Sequence, residues 1–325
     1  MTIQSEMPTE TGPPQTPDET EQSPGHKAKP GMSLGKQIGL LAVTIYIAGF
    51  VVMIAFFGLS GTKNEDFNIV QPFHLDRWFK IVGPIDFNKG VLYLLLTTAI
   101  TLGILLWVAK RMNMRPNRVQ TAVEAFYDLT RRMTRDNMDE ALARKWFPLV
   151  ATLFVFILVT NLLGYIPLPV NSAEKIFGGN FPSFQLYAAD TNVAVPLILA
   201  LGVWIVFNYE GVRAHGALGY IKSLVPSGVS KGMLFMLYPL EILSNFLRLL
   251  SLTVRLWANL LAGHLLIDFM GGNMAVLLGR PYLGWLTLPL GIAIYLFEAV
   301  LIAGLQAFIF AILTAMYIGS ATHSH

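Results

Sequence analysis

The chain has 325 residues, of which 54% are hydrophobic and only 13% are charged. Soluble domains carry about 25% charged residues, so this composition indicates a polytopic membrane protein whose architecture is set by the bilayer. The net charge of +3 does not favour nucleic-acid binding, and the absence of cysteine excludes disulfides, thiolate metal sites and cysteine nucleophiles.

The two ends of the chain are predicted to be tails, over residues 1–36 and 320–325. The first thirty residues are polar and rich in proline, which is typical of disorder. They contain acids but no arginine, which argues against a mitochondrial transit peptide. The apolar run at 37–59 is too long for the core of a signal peptide, so we interpret it as a retained transmembrane helix that precedes the rest of the membrane core at 90–319.

The apolar stretches of the chain predict about six membrane-inserted helices. They lie at 37–59, 90–109, 147–169, 192–210, 233–271 and 282–319. One crossing takes ~20 residues, which suits the first four. The last two would each run to almost 60 Å as continuous helices, against a hydrocarbon core of ~30 Å. We therefore expect an all-α fold that ends in a hairpin of two long helices, each steeply tilted or broken near Pro239 or Pro289, with Gly271, Gly272 and Pro281 marking the turn.

The distribution of basic residues predicts the orientation of these helices. If the N-terminus is cytoplasmic, fifteen Lys and Arg residues lie on the inner side and six on the outer side, which places both termini in the cytoplasm. Residues 116–140 are too polar to span the membrane. Their apolar positions recur at intervals of three and four, which predicts an amphipathic helix on the cytoplasmic face, with a small soluble hairpin as the alternative.

A line of polar residues follows one face of the fifth apolar segment. Steps of three, four and seven align its members, which are Glu241, Ser244, Arg248, Ser251, Arg255 and Asn259. Arg255 is the most informative of them, because a guanidinium keeps its proton, is costly at membrane depth and lies too far from either end of the segment to snorkel. Glu241 is about 21 Å away along the axis, so we expect the counterion of Arg255 to come from another chain.

Titratable groups are predicted on the opposite side of the same segment. His264 lies nine residues after Arg255, which places it about 180° around the helix axis from Arg255. Asp268 lies four residues later, on the same face as His264. The sixth segment adds Glu298 and Gln306. Each residue alone could make an interhelical hydrogen bond, but together they indicate ion translocation. A buried acid keeps its proton and releases it beside an arginine, and a histidine and a carboxyl group can relay it.

Several segments of the chain resemble subunit a of the F-type ATP synthases. SLTVRLWANLLAGHLL is similar to the S-x-x-x-R-x-x-x-N-x-x-x-G motif of the family, and LQAFIFAILTAMY is similar to its last helix. Weaker similarity lies in TNLLGYIP, ADTNVAVPL and RPNRVQTAVE, which extends the resemblance over roughly 90–319. The resemblance implies a stator subunit with two aqueous half-channels, in a complex with a ring of subunit c and with the peripheral stalk subunit b.

The resemblance also implies roles for individual residues. It makes Arg255 the essential arginine that faces the ring, and it places further residues in proton translocation: His264, Glu298, Asn259, Gln306, Ser251 and Asp268. Possible channel-lining residues are Asn161, Asp190, Asn192, Arg248 and Glu241. The acid of the last helix precedes the glutamine by seven in the family pattern but by eight here, so a helical bulge or a shift is needed to restore the geometry of Glu298.

Other chemistry is not expected from this sequence. No metal-ligand spacing, phosphate loop or nucleophile elbow occurs, so we predict a non-catalytic channel subunit without cofactor or metal. The alternative interpretation is a self-contained proton-coupled secondary transporter, although the sequence shows no internal repeat of the kind such proteins often have. The coupling ion, H+ or Na+, stays open. The N-terminal tail favours a bacterial plasma membrane over an organellar one.

Overall fold

The computed structural model describes residues 33–58, 61, 64, 73–75, 78–82, 85–111, 118–176, 181–223 and 231–322. Most of the predicted N-terminal tail and the end of the C-terminal tail lie outside these residues. The chain divides into two compact units, Met1–Gly49 and Phe50–His325. The described part of the first unit is the beginning of an apolar helix in which no residue is buried.

Helices dominate the described residues. They are α1 (Leu34–Phe57), α2 (Lys89–Arg111), α3 (Arg118–Asn137), α4 (Glu140–Gly164), α5 (Ala194–His215), α6 (Ala217–Ser223), α7 (Lys231–Asp268), α8 (Met274–Leu278), α9 (Pro281–Phe297) and α10 (Ala303–Thr322). Six helical segments are long and apolar enough to cross a membrane, which confirms the predicted fold class. The last two, Gly232–Leu278 and Pro281–Thr322, have 47 and 42 residues, so their steep tilt stays a prediction based on length.

The two long segments are interrupted by π-turns and not by prolines. Helix α7 continues through Pro239 and α9 through Pro289, so the predicted breaks at these residues are wrong. The π-turns are Phe269–Asn273, between α7 and α8, and Glu298–Ile302, between α9 and α10. Neighbouring helices compensate the hydrogen bonds that proline removes from a membrane helix, which explains why the prolines are tolerated.

The reversal between the long segments lies within the predicted turn, near its Pro281 end. Gly271 and Gly272 belong to the first π-turn, and the chain reverses at Gly279 and Arg280. Gly279 has a φ of 63°, in the left-handed region, where a glycine ends a helix without steric cost. Pro281 then occupies the first turn of α9, the helical position that best accepts a residue without an N–H group.

The structure differs from the predicted all-α fold in two short β-hairpins. Strands β1 (Phe79–Val82) and β2 (Ile85–Phe87) pair antiparallel before α2. Strands β3 (Leu168–Ile176) and β4 (Phe181–Gln185) pair antiparallel between α4 and α5. Both hairpins lie in connections between spanning helices, where strand pairing satisfies backbone groups that have no helical partner.

The main core forms where α10 packs against α3, α4 and α5. Phe154 of α4, Phe207 of α5, Leu256 of α7 and Phe310 of α10 are buried in it. Helix α3 lies within the predicted segment 116–140, and Met133 is its buried contact with this core. Its position at the cytoplasmic surface of the membrane stays a prediction. The core fixes α7 so that one of its faces is internal and the other is open.

Candidate functional site

Helix α7 presents Arg255 on its open face. The side chain is exposed and its Nη2 lies 3.4 Å from Ser251 Oγ, one turn earlier. Within the described parts of the chain, no carboxylate forms an ion pair with Arg255. Leu247 and Val254, beside it, are also exposed. The guanidinium therefore points outward from an apolar surface near the middle of a 47-residue span.

The buried face of the same helix presents His264. Its side chain is only 1% exposed. Nδ1 lies 3.0 Å from the carbonyl oxygen of Leu260, and Nε2 lies 3.2 Å from the carbonyl oxygen of Gly164 at the end of α4. The structure thus separates Arg255 and His264 as their spacing predicts, one outside and one inside.

Both nitrogens of His264 face oxygen atoms that only accept hydrogen bonds. A neutral imidazole has one N–H group, whereas an imidazolium has two. The neutral ring can therefore donate a hydrogen bond to one of the two carbonyl oxygens, and the protonated ring can donate to both. A second proton on His264 would find an acceptor already in place, which is a geometry suited to a residue that takes up and releases a proton.

Tyr165 joins His264 to Glu298. The tyrosine ring stacks on the imidazole at 4.9 Å between centroids, with 25° between the planes, and its hydroxyl donates to Glu298 Oε2 at 3.3 Å. Tyr295 fixes the backbone here, since its hydroxyl donates to the carbonyl oxygen of Tyr165 at 2.7 Å. A phenol hydroxyl keeps its proton at neutral pH and can therefore donate to the carboxyl group. The histidine and the acid are thus linked through a tyrosine.

The π-turn at Glu298–Ile302 is a bulge of the kind that the comparison of Glu298 with the family pattern predicted. A π-turn places one extra residue in a helical turn. Eight residues that include it correspond to seven in a regular α-helix, which brings Glu298 and Gln306 to within about 20° of one face. Glycine at 263 completes the fit, because a methyl group there would lie 2.6 Å from Glu298 Oε2.

Unpartnered polar atoms are buried around this cluster. Among the described residues, no hydrogen-bond partner is found for Asn161 Oδ1, either carboxyl oxygen of Asp190, or Asn259 Nδ2. Asn161 donates its other amide group to the carbonyl oxygen of Ala303, just after the π-turn, at 3.1 Å. Burial raises the pKa of Asp190 to about 7. Buried polar atoms normally have partners, so these atoms are unsatisfied polar groups inside an otherwise apolar core.

The remaining predicted residues have mixed surroundings. Gln306 is buried and Asp268 is partly buried. The Arg248 guanidinium lies 5.4 Å from the centre of the Tyr317 ring, and Glu241 is partly buried. Asn192 Oδ1 accepts a hydrogen bond from the Ala194 N–H at 3.1 Å, which stabilises the start of α5.

A polar network between the interior of α5 and α7 was missed by the sequence reasoning. Asn245 is at its centre: its Oδ1 accepts from Trp204 Nε1 at 2.8 Å, and its Nδ2 donates to Asn208 Oδ1 at 3.1 Å. The Tyr220 hydroxyl donates to the same oxygen of Asn208 at 3.0 Å. The only signal in the sequence was that Asn245 lies three residues before Arg248, and Tyr165 gave no signal beyond its place in TNLLGYIP.

The fold and the cluster define a class, that of polytopic helical membrane proteins with ionisable residues inside the membrane. The sequence profile of the family described as ATP synthase A chain matches residues 91–319, so the chain belongs to the ATP synthase A chain family. It is an integral membrane protein.

Individual relatives cover most of the chain. ATP synthase subunit a of Allorhizobium ampelinum is 33% identical over 262 residues, which are 78% of this chain and 97% of the relative. The Rubrobacter xylanophilus protein of the same name is 34% identical over 72% of this chain and 83% of its own length. The corresponding protein of a Parafrankia species is 34% identical over 86% and 89%.

Proposed function

We propose that this chain is the proton-conducting stator subunit of a rotary F-type ATP synthase, with Arg255 facing a rotating ring of subunit c. The observation that carries the proposal is the outward guanidinium on an apolar face, with a serine as its hydrogen-bond partner within the described chain. A charge in contact with lipid at this depth is costly. A neighbouring subunit that covers this face and supplies an anion removes that cost.

The fixed charge of Arg255 explains how a rotating partner is discharged. A carboxylic acid of the ring keeps its proton while it faces lipid, since desolvation disfavours the carboxylate. Beside Arg255 the ionised form is favoured, so the acid releases its proton. Arginine does not lose its own proton, so it blocks direct leakage between the two sides. The acid is protonated again after it passes this residue.

The buried cluster supports one of two aqueous half-channels. His264, Tyr165 and Glu298 form a connected set of groups that exchange or donate protons. We assign to the same half-channel the buried side chains of Asn161, Asp190 and Gln306 and the partly buried side chain of Asn259. Proton relay through positioned side chains needs groups within hydrogen-bond reach, directly or through water. We assign the second half-channel to the other end of α7, near Glu241 and Arg248.

The proposal includes the surroundings of the chain. The complex would contain the ring of subunit c and the peripheral stalk subunit b, in a bacterial plasma membrane, with both termini cytoplasmic and α3 on the cytoplasmic face. The chain itself would move protons, and ATP would be made by other subunits. Asp268, one turn beyond His264, would lie towards the outer mouth of the first half-channel.

Removal of the Arg255 guanidinium tests the proposal directly. Arg255→Ala should abolish ATP-driven proton pumping in inverted membrane vesicles while the assembled complex persists. Arg255→Lys should also fail, because an ammonium group can lose its proton when it is desolvated. Arg280→Ala, at the exposed turn before α9, is the matched control and should pump normally. Normal coupled pumping by Arg255→Ala, or solute uptake by the purified chain alone in liposomes, would contradict the proposal.

A further inference from the structure

An apolar groove lies on a different side of the molecule from the Arg255 face, between α2, α3 and α4. Its volume is about 560 Å³, within the ~300–1,000 Å³ typical of ligand pockets. Its lining runs along α4 from Phe147 to Leu162, roughly 22 Å at the rise of an α-helix. Ile104 and Val108 of α2 and Phe126 of α3 form the facing walls. One leaflet of hydrocarbon is roughly 15 Å deep, so the groove is long enough for an acyl chain.

A basic pocket opens at the polar end of this groove. It has a volume of about 230 Å³ and is lined by Arg131, Arg135 and Arg144, with Glu140 as its only acid. Tyr127 and Phe147 line both the pocket and the groove, so the two spaces are adjacent. The basic pocket lies at the start of α4, where this spanning helix leaves the apolar region.

The charges of the residues that line the basic pocket do not balance one another. Glu140 Oε1 lies 3.5 Å from Arg135 Nη2 and 3.8 Å from Arg144 Nη2. In the part of the chain that the structure describes, Arg131 has no ion pair with a carboxylate. Three guanidinium groups and one carboxylate leave a net charge of +2. Guanidinium groups bind phosphate oxygens through paired hydrogen bonds.

We infer that the groove and the basic pocket together bind one anionic glycerophospholipid. The phosphate would lie among Arg131, Arg135 and Arg144, and an acyl chain would fill the groove. A basic pocket between membrane helices is a recognised form of lipid headgroup site. The lining of the groove is apolar apart from Tyr127, Thr130 and Thr152, and the Thr130 hydroxyl already donates to the carbonyl oxygen of Phe126 at 2.9 Å. A neutral lipid would leave the excess charge of the pocket uncompensated.

A lipid fits this site better than a partner's transmembrane helix does. The phosphate of a lipid always lies at the boundary between headgroups and hydrocarbon, which is where the basic pocket meets the groove. A helix would need an acid at that same level and a side-chain surface that fills a groove walled on three sides. The lipid site is independent of the proposed proton route, since none of its residues belongs to the cluster around His264.

Native mass spectrometry of the purified full-length chain in neutral detergent tests the site. The probes are phosphatidylglycerol and phosphatidylcholine with identical acyl chains. The chain should retain one phosphatidylglycerol in preference to phosphatidylcholine. Arg131→Gln should weaken this retention about fivefold, the effect of one basic side chain near an anionic lipid surface, and Arg131→Gln with Arg144→Gln about twentyfold. Arg132→Gln, exposed on the same helix and outside the pocket, is the matched control and should change retention less than twofold.

The acyl chain is tested separately from the headgroup. Ala151→Phe places a ring in the groove and should reduce retention of phosphatidylglycerol at least tenfold, whereas excess inorganic phosphate should not displace the lipid. Equal retention of the two lipids would overturn the inference, as would equal losses in Arg131→Gln and Arg132→Gln. Displacement by inorganic phosphate alone would also overturn it. A protein adduct instead of a lipid adduct from a photocrosslinker on Val123→Cys, in the intact complex, would show that a partner helix occupies the groove.

Discussion

Arg255 and His264 occupy the same helix, nine residues apart, yet their surroundings are opposite. Arg255 is exposed and contacts Ser251. His264 is buried, stacked on Tyr165 and placed between two carbonyl oxygens. Rotation by about half a turn along a single helix therefore separates a charge that cannot change from a group that can.

The difference between these two environments shows why one long helix can carry both groups. A permanent charge on the open face needs a partner from outside, whereas a titratable group inside needs neighbours that accommodate both of its protonation states. The interior supplies these neighbours from α4 and from the π-turn after α9. The helix backbone fixes the separation, at roughly 14 Å along the axis, so the two groups remain distinct.

A charge introduced on the buried face of α7 should have the largest effect on the stability of the fold. Leu256 is 1% exposed and Val254 is 47% exposed, and they flank Arg255. Leu256→Asp buries a carboxylate and should destabilise the fold by more than about 3 kcal/mol. Val254→Thr, on the open face and without an added charge, is the control and should fold normally. The yield of folded protein in size-exclusion chromatography measures both, and an unchanged yield of Leu256→Asp would show that this face is not internal.

The buried acid Asp190 should make stability depend on pH. Burial raises its pKa from 3.8 to about 7, with Tyr165 and Tyr187 nearby. The folded state then holds the proton more tightly than the unfolded state. The resulting stability is complete below the ordinary pKa and is lost as the pH rises through about 7, an effect on the order of a few kcal/mol.

Thermal unfolding between pH 5 and pH 8 measures this dependence. In Asp190→Asn, the unfolding midpoint should decrease less as the pH rises. The amide has nearly the shape of the protonated carboxyl group but does not titrate. Asp136→Asn, on the exposed side of α3, is the control and should follow the unmodified chain. An identical pH dependence in Asp190→Asn would contradict the assignment.

A smaller effect is expected where Gly263 contacts the acid of the cluster. Gly263→Ala places a methyl group 2.6 Å from Glu298 Oε2, so the carboxyl group must move away from Tyr165. We expect passive proton conductance through the reconstituted membrane sector to fall about tenfold, or about 1.4 kcal/mol in barrier height. Gly304→Ala adds a methyl group that meets no atom within 4 Å and should conduct normally. Equal conductance of the two variants would show that the position of Glu298 is unimportant.

The smallest effect is expected from the tyrosine hydroxyl. Tyr165→Phe removes the donor to Glu298 and keeps the ring on His264. The loss of one hydrogen bond should cost about 1 kcal/mol of stability and slow conductance by a few fold. Chemical denaturation and the conductance assay give the two values. A variant that conducts at the full rate would exclude the hydroxyl from the proton path.

Much of this arrangement could be predicted from the sequence. Runs of apolar residues gave the six spanning segments, and helical periodicity gave the opposite placement of Arg255 and His264. The resemblance to the family pattern, in which the acid precedes the glutamine by seven residues and not eight, also indicated a bulge or a shift near Glu298. These features are local, since each depends on residues within one helix.

The features that could not be predicted depend on distant parts of the chain. Tyr165 lies 99 residues before His264 in the sequence, so their stacking follows only from the packing of α4 against the later helices. The π-turn has no glycine or proline of its own, and Pro239 and Pro289 do not break their helices. In each case tertiary contacts outweigh the local preference of the sequence.

Cross-linking from the open face of α7 tests the central claim most directly. The chain contains no cysteine, so a single introduced cysteine is the one position on this chain that carries the photocrosslinker. Val254→Cys, beside Arg255, is compared in intact membranes with Leu95→Cys, an exposed position on α2. We predict an adduct between position 254 and a small ring-forming proteolipid, with no such adduct from position 95. Adducts of Val254→Cys with lipid alone would contradict the account, because the counterion of Arg255 would then not come from a neighbouring subunit.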